Sequence, residues 1–266
     1  MSIVKTWLTR WTQKSSLLLA FDHLDEQGME EFRTQVQEVS KYYSWSTLRQ
    51  VVDDLAQVRI KEVATVLFRN PRKSILLKAL PILREYKIPS TIFLRSDCIG
   101  LNRLPPQEEL SIYQQKYSSH FSPGEFERML ARAWESPLEC DQELKALRKT
   151  LGPLPVEQVD PLTYFATWGE IADLDKNLVE FGIGLNCSPK QSEIIGDEIL
   201  FIRRQLGAAP QFGLGLIGKE NNYTRGMEWK RAQIAALGLK ARVGSAAGAV
   251  TKGSDCYDLP VWQFSS

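Results

Sequence analysis

The 266-residue chain sets 33 Lys and Arg against 32 Asp and Glu, and the resulting formal charge of +1 excludes a global attraction to nucleic acid or to an anionic membrane. At 43% hydrophobic and 24% charged, it has the make-up of a soluble globular protein, and its length suits one large α/β domain spanning 1–266. The apolar run Leu17 to Phe21 is far too short to cross a bilayer, and residues 1–16 lack the pattern of a secretory signal, so a cytoplasmic location is expected.

Residues 2–14 (SIVKTWLTRWTQK) form an amphipathic helix candidate, with Ile3, Val4, Trp7, Leu8 and Trp11 on one side and Lys5, Arg10 and Lys14 elsewhere. Such a helix packs on its domain or makes at most peripheral membrane contact. Leu17–Phe21 reads as the first strand and ends at Asp22-His23. Two helices follow at 26–41 and 45–57, the second capped by Ser46 and presenting Leu48, Val51, Val52 and Leu55.

The stretch Ala64–Gly100 organises the chain. Ala64 to Phe68 is a short apolar run that breaks at Arg69-Asn70-Pro71. Ile75, Leu76, Leu77, Ala79, Leu80, Ile82 and Leu83 then fall at helical spacing for one buried face. After Lys87-Ile88-Pro89, the run Thr91 to Leu94 is β-rich. Strand, helix and strand in so few residues make a βαβ unit with parallel strands and a right-handed crossover. Loops leaving the C-terminal ends of such strands carry chemistry, which points to Arg69, Asn70, Arg72 and Lys73.

From 101 to 161 the pattern is helical and polar, without strand character. Ser122-Pro123-Gly124-Glu125 is a helix start, and Pro137–Leu151 is a charged helix closed by Gly152-Pro153. This segment reads as a helical insertion, a lid or a partner surface; its His120 lacks companions for a metal site. Further strands are expected at 182–186, 212–216, 240–243 and 261–264, with a helix near 228–237, giving about seven strands separated by helices. Cys98, Cys140, Cys187 and Cys256 are far apart, with no metal-ligand spacing, and read as reduced thiols.

The wording ALPILREYKIPSTIFLRSDCIG resembles the polysaccharide deacetylase superfamily, the NodB-homology family, just after its first catalytic motif. That motif, Thr-Phe-Asp-Asp-Gly, falls on Leu67-Phe68-Arg69-Asn70-Pro71, where only the Phe is kept. Phe21-Asp22 takes the place of the family's early Tyr-His, and Ala166–Leu174 is similar to its Ser-Trp helix. The His-(Ser/Thr)-x-x-His motif falls on Asn186, Cys187, Ser188, Pro189 and Lys190, and Gly218-Lys219 keeps part of a later loop. The late Leu-x-His that supplies the family's catalytic acid is not recognisable. The resemblance implies a distorted seven-stranded parallel (β/α) barrel of the polysaccharide deacetylase type with a helical insertion, covering roughly 17–100 and 163–264. It also implies bacterial surface-polysaccharide metabolism, with a carbohydrate ligand and a polysaccharide-synthesis enzyme as a partner.

The family's metal is held by Asp, His and His, and its base is an Asp; this chain offers Asn70, Asn186 and Lys190 for the metal and Arg69 for the base. Neutral amides and an ammonium are poor ligands, so no metal, no cofactor and no metal-dependent deacetylation are expected. The substitutions turn a site built around a cation into one built from cations. Arg69, Arg72, Lys73 and Lys190, with Asn70 and Asn186, form a candidate binding site for an anionic sugar conjugate. Alternatively Arg69 and Lys190 pair with Asp22, Asp97 or Asp255 and only hold the site together. Asp22, His23 and Cys187 remain the candidate catalytic groups of a metal-independent enzyme.

Overall fold

The computed structural model describes residues 14–22, 24–101, 103–135, 137–154, 160–185, 192–215 and 229–264. Helix 2–14, His23, Asn186, Cys187, Lys190 and Gly218-Lys219 are expectations that lie outside the described residues, Lys14 excepted.

The sequence alternates strands and helices, and the strands gather into one parallel sheet. They are β1 (Leu17–Phe21), β2 (Ser44–Trp45), β3 (Val63–Phe68), β4 (Ser90–Leu94), β5 (Val179–Gly184), β6 (Phe212–Leu214), β7 (Ala241–Val243) and β8 (Trp262–Phe264). Their order is β7-β6-β5-β4-β3-β1-β8, with the two-residue β2 paired to β3. All seven expected strands are present, curled into a distorted (β/α) barrel. Residues 256–264 close it. Leu259 bonds to Arg242 and Gly244 on the β7 side, and Trp262–Phe264 pair with Leu19–Phe21 on the β1 side.

Parallel strands are buried on both faces, and side chains of alternating parity feed two separate cores. Leu17, Leu19, Phe21, Val66, Phe68, Ile92, Leu94 and Ile183 pack outward. They meet α1 (Glu26–Val39), α3 (Leu80–Glu85) and α8 (Ser192–Leu206). Leu18, Ala20, Leu67, Phe93, Phe212, Leu214, Ala241 and Val243 pack inward on each other. The second cluster includes Leu48, Val51, Val52 and Leu55 of α2 (Leu48–Ala56), so that helix stops the barrel at its lower end. Each of the buried Val, Leu, Ile and Phe side chains contributes ~1.5–3 kcal/mol by leaving water. Inside, Phe93 occupies space that only glycine leaves free: a Cβ on Gly182 would lie 2.5 Å from the Phe93 ring and 2.9 Å from the Phe212 carbonyl oxygen.

Two helix starts differ from expectation. Ser44–Trp45 is strand, so α2 begins later and Thr47, not Ser46, is its cap, accepting the Gln50 N–H at 3.1 Å. In the central unit, Ile75–Ala79 is a π-helical turn, in which the Leu80 N–H donates to the Ile75 carbonyl. Pro81 has no N–H, and its ring crowds the carbonyl of Leu77, so a wider turn precedes α3. The extra residue rotates Leu77 out of the expected buried face, leaving it 60% exposed.

Between β4 and β5 the described residues form no named strand; their α-helices are α4 (Pro106–Lys116), α5 (Pro123–Glu135), α6 (Pro137–Leu151) and the short α7 (Trp168–Ala172). The first three share their own core of Leu110, Tyr113, Ala133, Cys140 and Leu144. Glu109, 6% exposed, accepts two hydrogen bonds from Arg148, each at 2.7 Å. The last helix, α9 (Arg231–Ala236), precedes β7.

Candidate functional site

The barrel's C-terminal mouth is built by the residues that follow β1, β3 and β4. Parity places Asp22, Arg69 and Arg95 on the inward side, one step past Phe21, Phe68 and Leu94. The Arg69 N–H donates to the Phe21 carbonyl at 3.0 Å, which carries the β1–β3 pairing one residue into the loops. Asp22 then uses both carboxylate oxygens. Oδ1 accepts from Asn70 Nδ2 at 2.8 Å, and Oδ2 lies 3.3 Å from the Arg69 guanidinium. Asn70 is 8% exposed, whereas Asp22 and Arg69 are partly open to solvent. Arg69 thus has a carboxylate neighbour, as one of the two sequence alternatives requires.

Arg72 and Lys73 are held differently. Arg72 and Phe165 form an antiparallel bridge, reinforced by the Ala166 N–H to Pro71 carbonyl bond at 2.8 Å and the Lys73 N–H to Tyr164 carbonyl bond at 2.9 Å. The Arg72 side chain is buried. Its guanidinium donates to the Thr163 carbonyl at 2.6 Å and to Glu108 at 2.5 Å, and it lies 5.3 Å from the centre of the Phe165 ring. Arg72 thereby ties the β3 loop to the helical insertion. Lys73 is half-buried; its charge helps hold the Glu170 carboxyl below its usual range, after the hydrogen bonds from Thr167.

A second group follows β4. Arg95, buried, donates Nε to Asp97 Oδ1 at 3.2 Å and a terminal N–H to Asp97 Oδ2 at 2.8 Å. Burial alone would raise the Asp97 carboxyl; the Arg95 charge and hydrogen bonds outweigh it and hold the group below the usual carboxylate range. Arg103 donates to the Asp97 carbonyl at 2.8 Å. Next to them, Ser96 Oγ donates to Glu198 Oε1 on α8 at 2.5 Å. Burial pushes the Glu198 carboxyl up to about 7, with the Asp97 charge adding to the shift and the Ser96 hydrogen bond opposing it. Burial and the Asp97 charge likewise push the Cys98 thiol up to about 12, which makes it inert near neutrality.

The sequence names Asp97 only as a possible partner of Arg69 or Lys190, whereas its carboxylate is held by Arg95; Arg95, Ser96 and Glu198 carry no expectation from the sequence. The rule that selected the loop after Phe68 applies equally to Arg95-Ser96-Asp97 after Leu94. Glu198 stands in the same helical stripe as the buried Ile195 and Ile202, and an acid in an apolar stripe is itself a signal.

No family model matches the chain, and no curated protein matches it significantly. Solved structures do. The Streptococcus pyogenes deacetylase PplD, in complex with acetate, aligns over 94% of this chain and 91% of its own, at 13% identity and a TM-score of 0.56. The deacetylase domain of BpsB from Bordetella bronchiseptica aligns over 94% of this chain and 96% of its own, at 11% identity and a TM-score of 0.56. IcaB from Ammonifex degensii aligns over 95% and 93%, at 10% identity and a TM-score of 0.56. The chain has the polysaccharide deacetylase fold.

By the resemblance drawn from the sequence, Arg69 and Asn70 would stand where the family has its catalytic base and a metal ligand. The residues present do not fit a divalent metal. Asn70 donates its amide to Asp22, and Arg69 brings a fixed positive charge where an anion is needed. Among the described residues, no three His, Cys, Asp or Glu side chains gather as a ligand set. No described helix is long and apolar enough to cross a membrane.

Proposed function

We propose that this protein binds an anionic sugar conjugate at the mouth of its deacetylase-type barrel and does not carry out metal-dependent deacetylation. The observation behind this reading is the Asp22–Arg69–Asn70 group, a compensated cation that by the resemblance stands for the family's base and metal ligand. Around it the loops after β3 and β4 carry Arg69, Arg72, Arg95 and Arg103, each beside a carboxylate of Asp22, Glu108, Asp97 or Asp141, so an anionic ligand would bind by taking the place of a protein carboxylate, as at Arg69 and Asp22. Asn186 and Lys190 belong to this proposed site on sequence grounds. Carbohydrate is the ligand class because the similar solved structures include deacetylases of the polysaccharide deacetylase type; the setting is surface-polysaccharide metabolism. The whole chain acts as one domain, with 101–161 as a lid or a docking surface for a polysaccharide-synthesis enzyme.

Calorimetric titration with glucuronate, glucose 1-phosphate and UDP-glucose, against neutral glucose, tests the reading. Anionic ligands should bind more tightly than glucose, and Arg69→Ala should weaken them about tenfold, the equivalent of one charge-assisted contact. Equal binding of glucose and the anions by wild type refutes it.

A further inference from the structure

We propose that Ser96 and Glu198 are a nucleophile and its general base, and that they transfer an acyl group from a carboxylic ester without a metal. This goes beyond ligand binding at Arg69 and does not depend on it. Three observations carry it. Ser96 lies two residues beyond the C-terminal end of β4, at the mouth where the strand-following loops converge, and both Ser96 and Glu198 are only half-buried. Its hydroxyl proton already points at a carboxylate, since Oγ donates to Glu198 Oε1 at 2.5 Å and the Ser96 N–H bonds to the same side chain. The carboxylate is fixed on a regular helix, α8, between Ile195, Ile199 and Ile202 of its buried stripe, and does not depend on a flexible loop.

A serine beside an ordinary carboxylate is a weak nucleophile, because a strong acid makes a poor base. Glu198 is not ordinary: with its pKa pushed up to about 7, it accepts a proton far more readily than a solvated Glu while remaining substantially ionised near neutrality. The charged groups that act on it are Asp97, which raises it, and Arg95, which lowers it. Arg95 is itself locked by Asp97, so its positive charge is preorganised beside the pair and can favour an oxyanion.

The reaction balances without a co-reactant other than water. Ser96 Oγ forms a bond to the acyl carbon as its proton passes to Glu198. The tetrahedral intermediate collapses by breaking the ester C–O bond, and Glu198 returns the proton to the departing alkoxide. Water then attacks the acyl-serine, giving one proton to Glu198, and Ser96 Oγ leaves and recovers that proton. An ester fits better than an amide, since an alkoxide departs with one proton from a carboxylic acid of this strength, whereas an amine is a poorer leaving group.

The test uses p-nitrophenyl acetate as probe, with intact-mass and peptide mapping of the full chain and release of p-nitrophenolate. Wild type should gain a single acetyl group on Ser96, at a rate that rises as pH increases through about 7. Ser96→Ala should lose the adduct. Glu198→Gln keeps an oxygen acceptor for the Ser96 hydroxyl and should slow acylation about 100-fold or more while the adduct site stays the same. Neither adduct nor p-nitrophenolate release above background in wild type, an adduct on another residue, or equal rates of p-nitrophenolate release in wild type and Glu198→Gln would each overturn the proposal. Anion binding at Arg69 is read separately by calorimetry, so either reading can fail alone.

Discussion

Asp22 joins Arg69 and Asn70, the two residues at the centre of the proposed site, so its removal should change stability and binding in opposite directions. In Asp22→Ala, Asn70 loses its 2.8 Å acceptor while remaining 8% exposed, and Arg69 loses a partner at 3.3 Å. The hydrogen bond to a charged acceptor contributes ~1.5–3 kcal/mol. The ion pair adds about 0–1 kcal/mol, because the side chains of Asp22 and Arg69 are 30% and 25% exposed. A loss of about 2–3 kcal/mol is expected, read from the midpoint and slope of urea unfolding. Asp22→Asn keeps one amide oxygen for Asn70 and should lose about 1 kcal/mol, mainly the charge term. Both variants leave Arg69 without this carboxylate, so affinity for glucuronate or glucose 1-phosphate should rise about tenfold in calorimetry. If both variants unfold within about 0.5 kcal/mol of wild type, or if anion affinity falls, the mouth is not organised through Asp22.

Gly182→Ala should destabilise the barrel by ~1–3 kcal/mol or more, because its Cβ would enter the Phe93 ring space; thermal melting measures it, and Phe93→Leu in the same chain should recover part of the loss. Glu198 is raised in the folded state from 4.5 to about 7, so the native protein binds the extra proton and loses stability as pH rises through that window. Glu198→Gln should therefore flatten the stability profile between those values and be the more stable protein at pH ~8. Arg148→Ala strands the buried Glu109 carboxylate and should cost about 3 kcal/mol, seen as loss of hydrogen-exchange protection confined to 106–151 while the sheet keeps its own. Purified protein should contain no stoichiometric zinc, and neither zinc nor chelator should shift its melting temperature; one metal per chain, lost on Asn70→Ala, would refute the fit argument made for Arg69 and Asn70.

The strands were legible because each buried run is short, β-rich and cut by a turn. Leu17–Phe21 coincides with expectation, and β3 and β4 are each one residue longer at the start. β5 begins at Val179, three residues before the expected 182, since Glu180 breaks the apolar run. The structure explains that charge: Arg49, at the start of α2, donates Nε to the Glu180 carboxylate at 3.2 Å and its N–H to the other oxygen at 3.3 Å. A compensating residue 131 positions away leaves no local trace. The π-turn before Pro81 was hidden for a similar reason, since periodicity assumes a constant pitch. At the site, the loop after β3 was found and its neighbour after β4 was not. The first stood out through altered motif residues; the second depends on Glu198 reaching Ser96 across 102 positions.

The closing stretch 256–264 has a consequence for how the protein is made. Leu19 and Trp262 are far apart in sequence, yet β1 has β8 as its outer neighbour. During synthesis β1 can pair with β3 early, while its other edge waits until Trp262–Phe264 emerge. Until then both β1 and β7 offer rows of unpaired N–H and C=O groups, which are templates for pairing with another nascent copy. Chains interrupted before residue 256 keep those two sticky borders permanently, and they should accumulate as aggregates even though every element of the central βαβ unit is intact.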